Sequence, residues 1–378
     1  MLANINVYAC VILAAAFLCT FLFTFALVPV ARAVAGKIGA IDVPKDDRRM
    51  HKYPIPRLGG LAIFLGFLVG VLAFVGLTRQ IVALLVGSVI IVVLGMVDDC
   101  KNLPAKFKFL VQIIAAVITV YLGDIKIDIF TNPNIFSSQT IISLTGWLTV
   151  PVTVIWIVAI TNAVNLIDGL DGLAAGISSI AAVSLVFVSA FVDQPTIELL
   201  ALIIAAACFG FLPHNFAPKG KKIIMGDTGS TFLGFALAVL SVQGVFKSYA
   251  VISFAVPFLI LGLPIFDTAF AILRRLFTGK GIMTPDRGHI HHKLVDMGFT
   301  QKQSVFILYA MSCILGITAV VLAYDNALRA MILLFGVLIF IAVGAMITVR
   351  KNTGASSEND VHVKVILGKE DKEKDNDK

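Results

Sequence analysis

Eleven almost uninterrupted apolar runs of about 17 to 25 residues constrain this 378-residue chain more than any other feature. A helix needs about 20 residues to cross a hydrocarbon core of roughly 30 Å, because it rises 1.5 Å per residue. Barrel strands would instead alternate apolar and polar residues. We therefore predict an all-α polytopic integral membrane protein with about 11 transmembrane helices. The predicted spans lie near residues 7–30, 58–77, 81–97, 107–122, 147–163, 173–192, 197–213, 229–246, 249–273, 303–323 and 328–349.

The basic residues predict the orientation, because Lys and Arg concentrate in the cytoplasmic loops of membrane proteins. With the N-terminus outside, every second segment between the spans, together with the C-terminal tail, lies on the inner side. These inner segments hold 26 of the 30 Lys and Arg residues. The exceptions are Arg79, Lys126, Lys247 and Arg329. We therefore predict an N-terminus outside and a cytoplasmic C-terminus.

We predict that the chain divides into a multi-pass transmembrane domain, residues 1–350, which carries any active site, and a tail, residues 351–378. The tail is poor in hydrophobic residues and mixed in charge, which predicts a disordered cytoplasmic segment. The net charge of +7 lies beside the helices on the inner face, so membrane lipid or a phosphorylated substrate fits better than nucleic acid. In the outer loop 123–146, alternating residues predict a small hairpin.

Five polar segments interrupt the apolar runs, and all of them fall on the same predicted side of the membrane. They are the basic loop 42–60, Asp98-Asp99, the run from Asn165 to Asp171, Gly226-Asp227, and the run from His289 to His292. Their shared side predicts one active site built from distant parts of the chain.

Asp98 and Asp99 are adjacent carboxylates at the end of an apolar run. Such a pair is costly at the membrane boundary unless a cation or a proton offsets its charge. Mg²⁺ is one candidate, because one or two carboxylates and substrate phosphates commonly bind it. Alternatively, one aspartate is a base or nucleophile whose pKa its neighbour tunes. Pairing with Lys101 and Lys106 would be a purely structural role.

Asn165, Asp168 and Asp171 recur every three residues, which places them on one side of a helix if this segment is helical. Their oxygens could bind a metal or hydrogen-bond a sugar or a base. A calcium loop is excluded, because the acidic residue that such a loop needs later in the sequence is absent. Further on, the turn at Gly226-Asp227, preceded by Asn215, offers backbone donors to a phosphate and a carboxylate to a metal.

The histidines His289, His291 and His292 are dense enough for a zinc site, but no cysteine accompanies them. Beside Arg287 they could contact phosphate oxygens or exchange protons near neutral pH. Asp267 either supports the histidines or pairs with Arg274. Carboxylates for Mg²⁺, basic groups for phosphate and helix N-termini together predict phosphoryl transfer with a lipid reactant.

The motifs resemble those of the polyprenyl-phosphate N-acetylhexosamine-1-phosphate transferases. The matching segments are 98–109, 162–172, 226–230 and 289–292. The resemblance implies transfer of a sugar 1-phosphate from a UDP-sugar to undecaprenyl phosphate at the cytoplasmic face of a bacterial plasma membrane. It also implies Mg²⁺, with Mn²⁺ as a substitute, release of UMP, and a homodimer.

Within this family, the segment 285–292 resembles the branch that uses UDP-N-acetylglucosamine. The branch that uses UDP-N-acetylmuramoyl-pentapeptide tends to carry three consecutive histidines, whereas Ile290 interrupts them here. The preferred branch starts wall teichoic acid or other envelope glycopolymers. The muramoyl-pentapeptide transferase and a proton-coupled transporter are the alternatives, although the transporter should have acidic residues inside its spans.

The resemblance also assigns roles to single residues. Asp227 is the main Mg²⁺ ligand, Asp168 serves the metal and catalysis, and Asp98 and Asp99 form the catalytic dyad. Asp98 would deprotonate the lipid phosphate, or instead form a covalent phospho-aspartyl intermediate. The remaining roles go to Lys52 and Lys106 for phosphates, Asn165, Asp171 and Asn215 for the nucleotide, Arg287, His289 and His292 for the sugar and pyrophosphate, and His291 for those groups and for catalysis.

Overall fold

The structure is a computed structural model that describes residues 7–43, 53–131, 141–144, 146–244, 255–279, 288–324 and 335. Lys52, Arg287, the last predicted span except residue 335, and the C-terminal tail lie outside the described residues. All the elements below belong to one compact unit, Met1–Asn326, and residues 327–378 form the other unit. The proposed boundary at residue 350 therefore stays a prediction.

The described parts of the chain contain twelve helices and two short antiparallel strand pairs. The helices are α1 (Val7–Ile38), α2 (Gly59–Phe74), α3 (Arg79–Lys101), α4 (Ala105–Gly123), α5 (Gly146–Ile167), α6 (Leu173–Phe191), α7 (Pro195–Asn215), α8 (Gly226–Gly244), α9 (Ala255–Ile260), α10 (Gly262–Phe277), α11 (Ile290–Asp296) and α12 (Gln301–Ala323). The strands are β1 (Ile41–Asp42), paired with β2 (Ile55–Pro56), and β3 (Ile129–Thr131), paired with β4 (Ile141–Ser143).

Among the described residues, seven helices are long and apolar enough to cross a membrane: α1, α3, α4, α5, α6, α7 and α12. Their lipid-length apolar runs make the chain a polytopic membrane protein. Helix α8 differs, because nearly all its residues are buried inside the bundle. Phe232 of α8 packs against Phe64 and Phe67 of α2, with ring centroids 5.3 Å apart in both pairs. Helices α2, α3, α5, α6 and α7 contact α8, so α8 lies inside the bundle. Its N-terminus lies at one end of the bundle.

Glycines bring three helices into backbone contact beneath this N-terminus. The N–H groups of Gly59 and Gly60 in α2 donate to the carbonyls of Ile224 and Met225, at 3.0 and 2.8 Å. A Cβ atom on Gly60 would overlap the backbone of α8, and one on Gly95 in α3 would lie 2.5 Å from the Cα of Thr228. Only glycine therefore permits this approach of α2, α3 and α8.

In its described part, the segment predicted as one span at 249–273 forms two consecutive helices instead of one. Helix α9 ends at Ile260 and α10 begins at Gly262. Pro264 lies in the first turn of α10, where a proline has no N–H to continue the preceding helix. The loop 123–146 contains an antiparallel strand pair, as predicted, in which Ile129 of β3 pairs with Ser143 of β4. Of the alternating stretch 124–129, only Ile129 belongs to a strand.

Candidate active site

Asp99 is the most enclosed carboxylate of the site, with no exposed side-chain surface. Its Oδ1 accepts from Nε and Nη2 of Arg57 and from the N–H of Asp227, each at 2.9 Å. Its Oδ2 accepts from the N–H and the hydroxyl of Thr228, at 3.1 and 2.6 Å. A carboxylate that accepts backbone N–H groups at a helix start stabilises that end. Through these hydrogen bonds, Asp99 links the start of α8 to the end of α3.

Arg57 is shared among several carboxylates. Besides its contacts with Asp99, its Nη2 lies 3.6 Å from Oδ1 of Asp227 and its Nη1 lies 3.9 Å from Oδ1 of Asp42. The sequence placed Arg57 in the basic loop but gave it no role, because its partners come from distant segments. The guanidinium balances part of the negative charge at this end of the bundle.

Asp98 faces a different partner from its neighbour. Its Oδ1 accepts from the N–H of Leu103 at 2.7 Å, and its Oδ2 lies 3.0 Å from Nζ of Lys108. The same ammonium lies 2.8 Å from Oδ2 of Asp227. The Asp227 side chain is 21% exposed, against 5% for Asp98, so it is the carboxylate of this pair more open to a ligand.

Lys108, rather than the predicted Lys106, reaches the carboxylates. In α4 the residues that face the bundle include Gln112, Ala115 and Thr119. These positions follow Lys108 by four, seven and eleven residues, which is the period of one helix face. Lys106 lies off this face and is exposed. The helical period was the signal that could have distinguished the two lysines.

The segment from Asn165 to Asp171 does not form the helix that its three-residue spacing suggested. Helix α5 ends at Ile167, and residues 168–172, here called the acidic turn, lead into α6. Asn165 and Asp168 line a cavity of about 260 Å³ together with Arg57 and Asp227. Asp171 instead pairs with Lys222. The two carboxylates of the turn therefore face different partners.

Asp168 lies in a strongly negative environment. Burial, followed by the negative charges of Asp227 and Asp99, raises the pKa of Asp168 to about 8. Crowded carboxylates hold their protons unless a cation neutralises them. This environment favours a bound cation.

Asn215 uses its side-chain amide to hold backbone groups. Its Oδ1 accepts from the N–H of Gly172 at 2.5 Å, and its Nδ2 donates to the carbonyl of Ile223 at 2.7 Å. The side chain is buried. The amide of Asn215 therefore joins the acidic turn to the segment before α8. Its assignment to substrate binding stays a prediction.

The histidine segment is anchored by Asp267, as one of the two interpretations of the sequence proposed. Oδ2 of Asp267 lies 2.8 Å from Nδ1 of His289, and Oδ1 accepts from the N–H of Ile290 at 2.8 Å. Arg274 donates to the carbonyl of Gly288 at 2.8 Å. Helix α10 therefore positions the start of α11.

His291 lies next to the acidic turn. The ring of His291 packs so closely on Gly169 that a Cβ atom there would overlap it. Neither ring nitrogen of His291 has a hydrogen-bond partner among the described residues. Burial, followed by the positive charge of His292, lowers the pKa of His291 to about 4. His291 therefore offers a neutral ring beside the turn that carries Asp168.

An apolar groove of about 830 Å³ adjoins this polar cluster. Its walls come from α4, α5 and α10, and most of its lining is apolar, as at Phe109, Ile113 and Val158. Lys108 and His289 line the groove as well. Asn165 lines both the groove and the smaller polar cavity, so the two spaces meet at this residue.

The carboxylates fit the divalent cation that the sequence predicted. No three His, Cys, Asp or Glu side chains among the described residues are grouped as a complete metal site. Mg²⁺ needs only one or two carboxylates when substrate phosphates complete its shell. Asp168 and Asp227 line one cavity, and the ammonium of Lys108 already lies between Asp227 and Asp98. The donor set therefore suits a hard cation bound together with a phosphorylated substrate.

Known proteins that are similar to this chain carry the names of transferases. Residues 81–245 match the model of glycosyl transferase family 4. The chain is 42% identical over 334 residues to a probable undecaprenyl-phosphate N-acetylglucosaminyl 1-phosphate transferase of Bacillus subtilis (strain 168), covering 88% of this chain and 91% of the relative.

More distant relatives carry related names. A decaprenyl-phosphate N-acetylglucosaminephosphotransferase of Mycobacterium tuberculosis (strain ATCC 25618 / H37Rv) is 32% identical over 353 residues, 85% of each chain. An undecaprenyl-phosphate alpha-N-acetylglucosaminyl 1-phosphate transferase of Escherichia coli (strain K12) is 27% identical over 311 residues, 81% of this chain and 83% of the relative. Such identity over nearly the whole chain shows that this protein belongs to the family of polyprenyl-phosphate N-acetylhexosamine-1-phosphate transferases.

Proposed function

We propose that this protein transfers N-acetylglucosamine 1-phosphate from UDP-N-acetylglucosamine to undecaprenyl phosphate and releases UMP. The observation that carries the proposal is the junction at Asn165, where an apolar groove meets a polar cavity lined by carboxylates. A lipid phosphate and a nucleotide sugar require such a pair of spaces side by side. The names of the relatives support this donor and this acceptor.

The polyprenyl chain would lie in the groove with its phosphate toward Lys108. The groove is apolar along α4, α5 and α10, and Lys108 contributes a positive charge at its lining. Such a cation stabilises a phosphate in a site with little water. The UDP-sugar would occupy the side of the acidic turn, with its pyrophosphate near Asp227 and Asp168 and its sugar near His289 and His292.

Asp98 would act on the lipid phosphate. The carboxylate accepts its proton, and the freed phosphate oxygen attacks the β-phosphorus of the UDP-sugar. A new P–O bond forms there, and the bond to the α-phosphate oxygen breaks, so that UMP leaves. Mg²⁺, held by Asp227 and Asp168, would neutralise the charge on the pyrophosphate when bound. Asp99, saturated by its donors, positions Asp227 in place of the catalytic role that the sequence assigned to it.

The membrane arrangement forms part of the proposal. Eleven spans with the N-terminus outside would put the site at the cytoplasmic face of a bacterial plasma membrane. The support for this orientation is that the inner segments hold 26 of the 30 Lys and Arg residues. The product would start an envelope glycopolymer such as wall teichoic acid, and the protein would form a homodimer.

Purified protein in detergent, mixed with undecaprenyl phosphate and Mg²⁺, is expected to release UMP from UDP-N-acetylglucosamine. Chelation with EDTA should stop the release, and added Mg²⁺ or Mn²⁺ should restore it. Parallel reactions with UDP-N-acetylmuramoyl-pentapeptide test the alternative donor. Release from that donor alone would move the protein to the other branch. No release from either donor by folded protein would refute transferase activity and favour the alternative of a proton-coupled transporter.

Replacing Lys108 with alanine is expected to lower kcat/KM for undecaprenyl phosphate by about 10²- to 10³-fold, because a phosphate in a water-poor site loses its cation. Lys106→Ala is the matched control on the same helix, since Lys106 is exposed and off the bundle face. Its effect should stay within ~3-fold, as for a solvated surface charge. Initial rates of UMP release measure both variants. Equal losses in the two would contradict the distinction between these lysines.

A further inference from the structure

We infer that Tyr309 is a positioning residue for the acidic turn and thereby for binding of the nucleotide sugar. Tyr309 lies in α12, which carries none of the motifs that point to phosphoryl transfer and lies outside the residues matched by the family model. The inference rests on the proposed function, because it assigns the acidic turn to the donor side of that site.

The contact joins the hydroxyl of Tyr309 to the backbone of the turn. This hydroxyl donates to the carbonyl of Gly172 at 2.5 Å. The same carbonyl accepts the N–H of Gly176 at 2.8 Å, which is the first hydrogen bond of α6. Tyr309 therefore adds a tertiary hydrogen bond at the point where the turn becomes a helix.

Gly172 is held from its other sides as well. Its N–H donates to Oδ1 of Asn215, and its φ angle of +75° is a conformation that favours glycine. The ring of Phe216 lies where a Cβ atom on Gly172 would be. Side chains from α7, from the residue that follows α7 and from α12 thus fix one peptide unit in place.

The ring of Tyr309 also needs a residue without a side chain opposite it in α6. A Cβ atom on Gly176, one turn into α6, would overlap the phenol ring of Tyr309. Glycine at this position lets α6 approach α12 closely enough for the hydroxyl to reach Gly172. The contact thus depends on residues from two helices, and either one can be changed to test it.

The acidic turn needs this support because its two aspartates face different groups. Asp168 lines the cavity with Asp227, and Asp171 pairs with Lys222. Neither of these contacts fixes the end of the turn, which Gly172 forms. A displacement of about 1 Å at a reacting centre can cost roughly 10²-fold in rate. A hydrogen bond at the end of the turn therefore affects how the donor is held.

Tyr309→Phe removes the hydroxyl and keeps the ring, and Tyr324→Phe at the end of the same helix is the matched control. Tyr324 is exposed and follows the last residue of α12. Hydrogen–deuterium exchange of the purified full-length protein is followed in peptides covering residues 165–176. Loss of one neutral hydrogen bond corresponds to about a 5- to 10-fold increase in opening of the turn. We expect this faster exchange in Tyr309→Phe and not in Tyr324→Phe.

The KM values for the two substrates distinguish a positioning role of Tyr309 from a general loss of structure. Tyr309→Phe should raise the KM for UDP-N-acetylglucosamine by about 5- to 10-fold, the same factor as the lost hydrogen bond, and leave the KM for undecaprenyl phosphate unchanged. Gly176→Ala, which displaces the ring, should reproduce the faster exchange. Unchanged exchange in Tyr309→Phe, or an equal increase in Tyr324→Phe, would overturn the inference. Wild-type protein that releases no UMP would refute the proposed function alone, because the exchange result stands without turnover.

Discussion

Asp98→Asn is expected to lower turnover by at least about 10³-fold while the protein stays folded. An amide neither takes the proton of the lipid phosphate nor forms a phospho-enzyme, and loss of a general base costs about 10² to 10⁴ in rate. The substitution keeps an oxygen for the N–H of Leu103, which holds Oδ1 in the native protein. UMP release measures the rate, and thermal unfolding in detergent measures the fold.

A second experiment, on the wild-type enzyme without lipid acceptor, distinguishes direct attack from a covalent intermediate. Direct attack by the lipid phosphate requires the acceptor, so labelled UMP should not exchange into UDP-N-acetylglucosamine in its absence. Exchange without acceptor would instead establish the covalent phospho-aspartyl route. A near-normal rate in Asp98→Asn would exclude Asp98 both as base and as nucleophile.

The sequence predicted the polytopic membrane class and the start of several helices, because hydropathy depends on local sequence. Helices α3 and α5 begin within two residues of the spans predicted at 81–97 and 147–163, and both continue about four residues past them. These extra residues include Asp98, Asp99 and Asn165. Polar residues at the end of a span can continue the helix after the apolar run has ended. The break between α9 and α10 was missed, because an apolar run does not show where a helix is interrupted.

The partners of single side chains were harder to predict, since they depend on contacts between distant segments. Arg57 meets Asp99 across 42 residues, and Lys108 meets Asp227 across 119. Spacing in sequence cannot show such pairs, although the helical period could have separated Lys108 from Lys106. The spacing of the acidic turn misled for a similar reason, because it was interpreted as helical and the chain leaves the helix at Ile167.

The adjacency of Asp98 and Asp99 did not show which groups the two side chains contact. Asp98 and Asp99 are neighbours in sequence, which suggested one catalytic pair. Consecutive residues of a helix lie about 100° apart around its axis, so the two carboxylates face different partners. Asp98 contacts Lys108, whereas Asp99 accepts from Arg57 and from the start of α8. We therefore propose a chemical role for Asp98 and a structural one for Asp99.

Asp99→Asn is accordingly expected to destabilise the protein more than Asp98→Asn does. Five donor atoms approach the two oxygens of Asp99, and its side chain has no exposed surface. An asparagine has one oxygen, so its NH₂ group must face donors on one side. Arg57 also loses its closest negative partner. Breaking one side of a buried ion pair costs about 3 to 5 kcal/mol.

Thermal unfolding in detergent, with both variants purified side by side, measures this difference. Asp99→Asn should unfold at a clearly lower temperature than Asp98→Asn. At low temperature its folded fraction should retain measurable UMP release, because the group that takes the proton is still present. A stable Asp99→Asn protein without turnover would contradict the structural role and place Asp99 beside Asp98 in catalysis. The two neighbouring substitutions together therefore decide whether the start of α8 is fixed by one aspartate while the other carries out the chemistry.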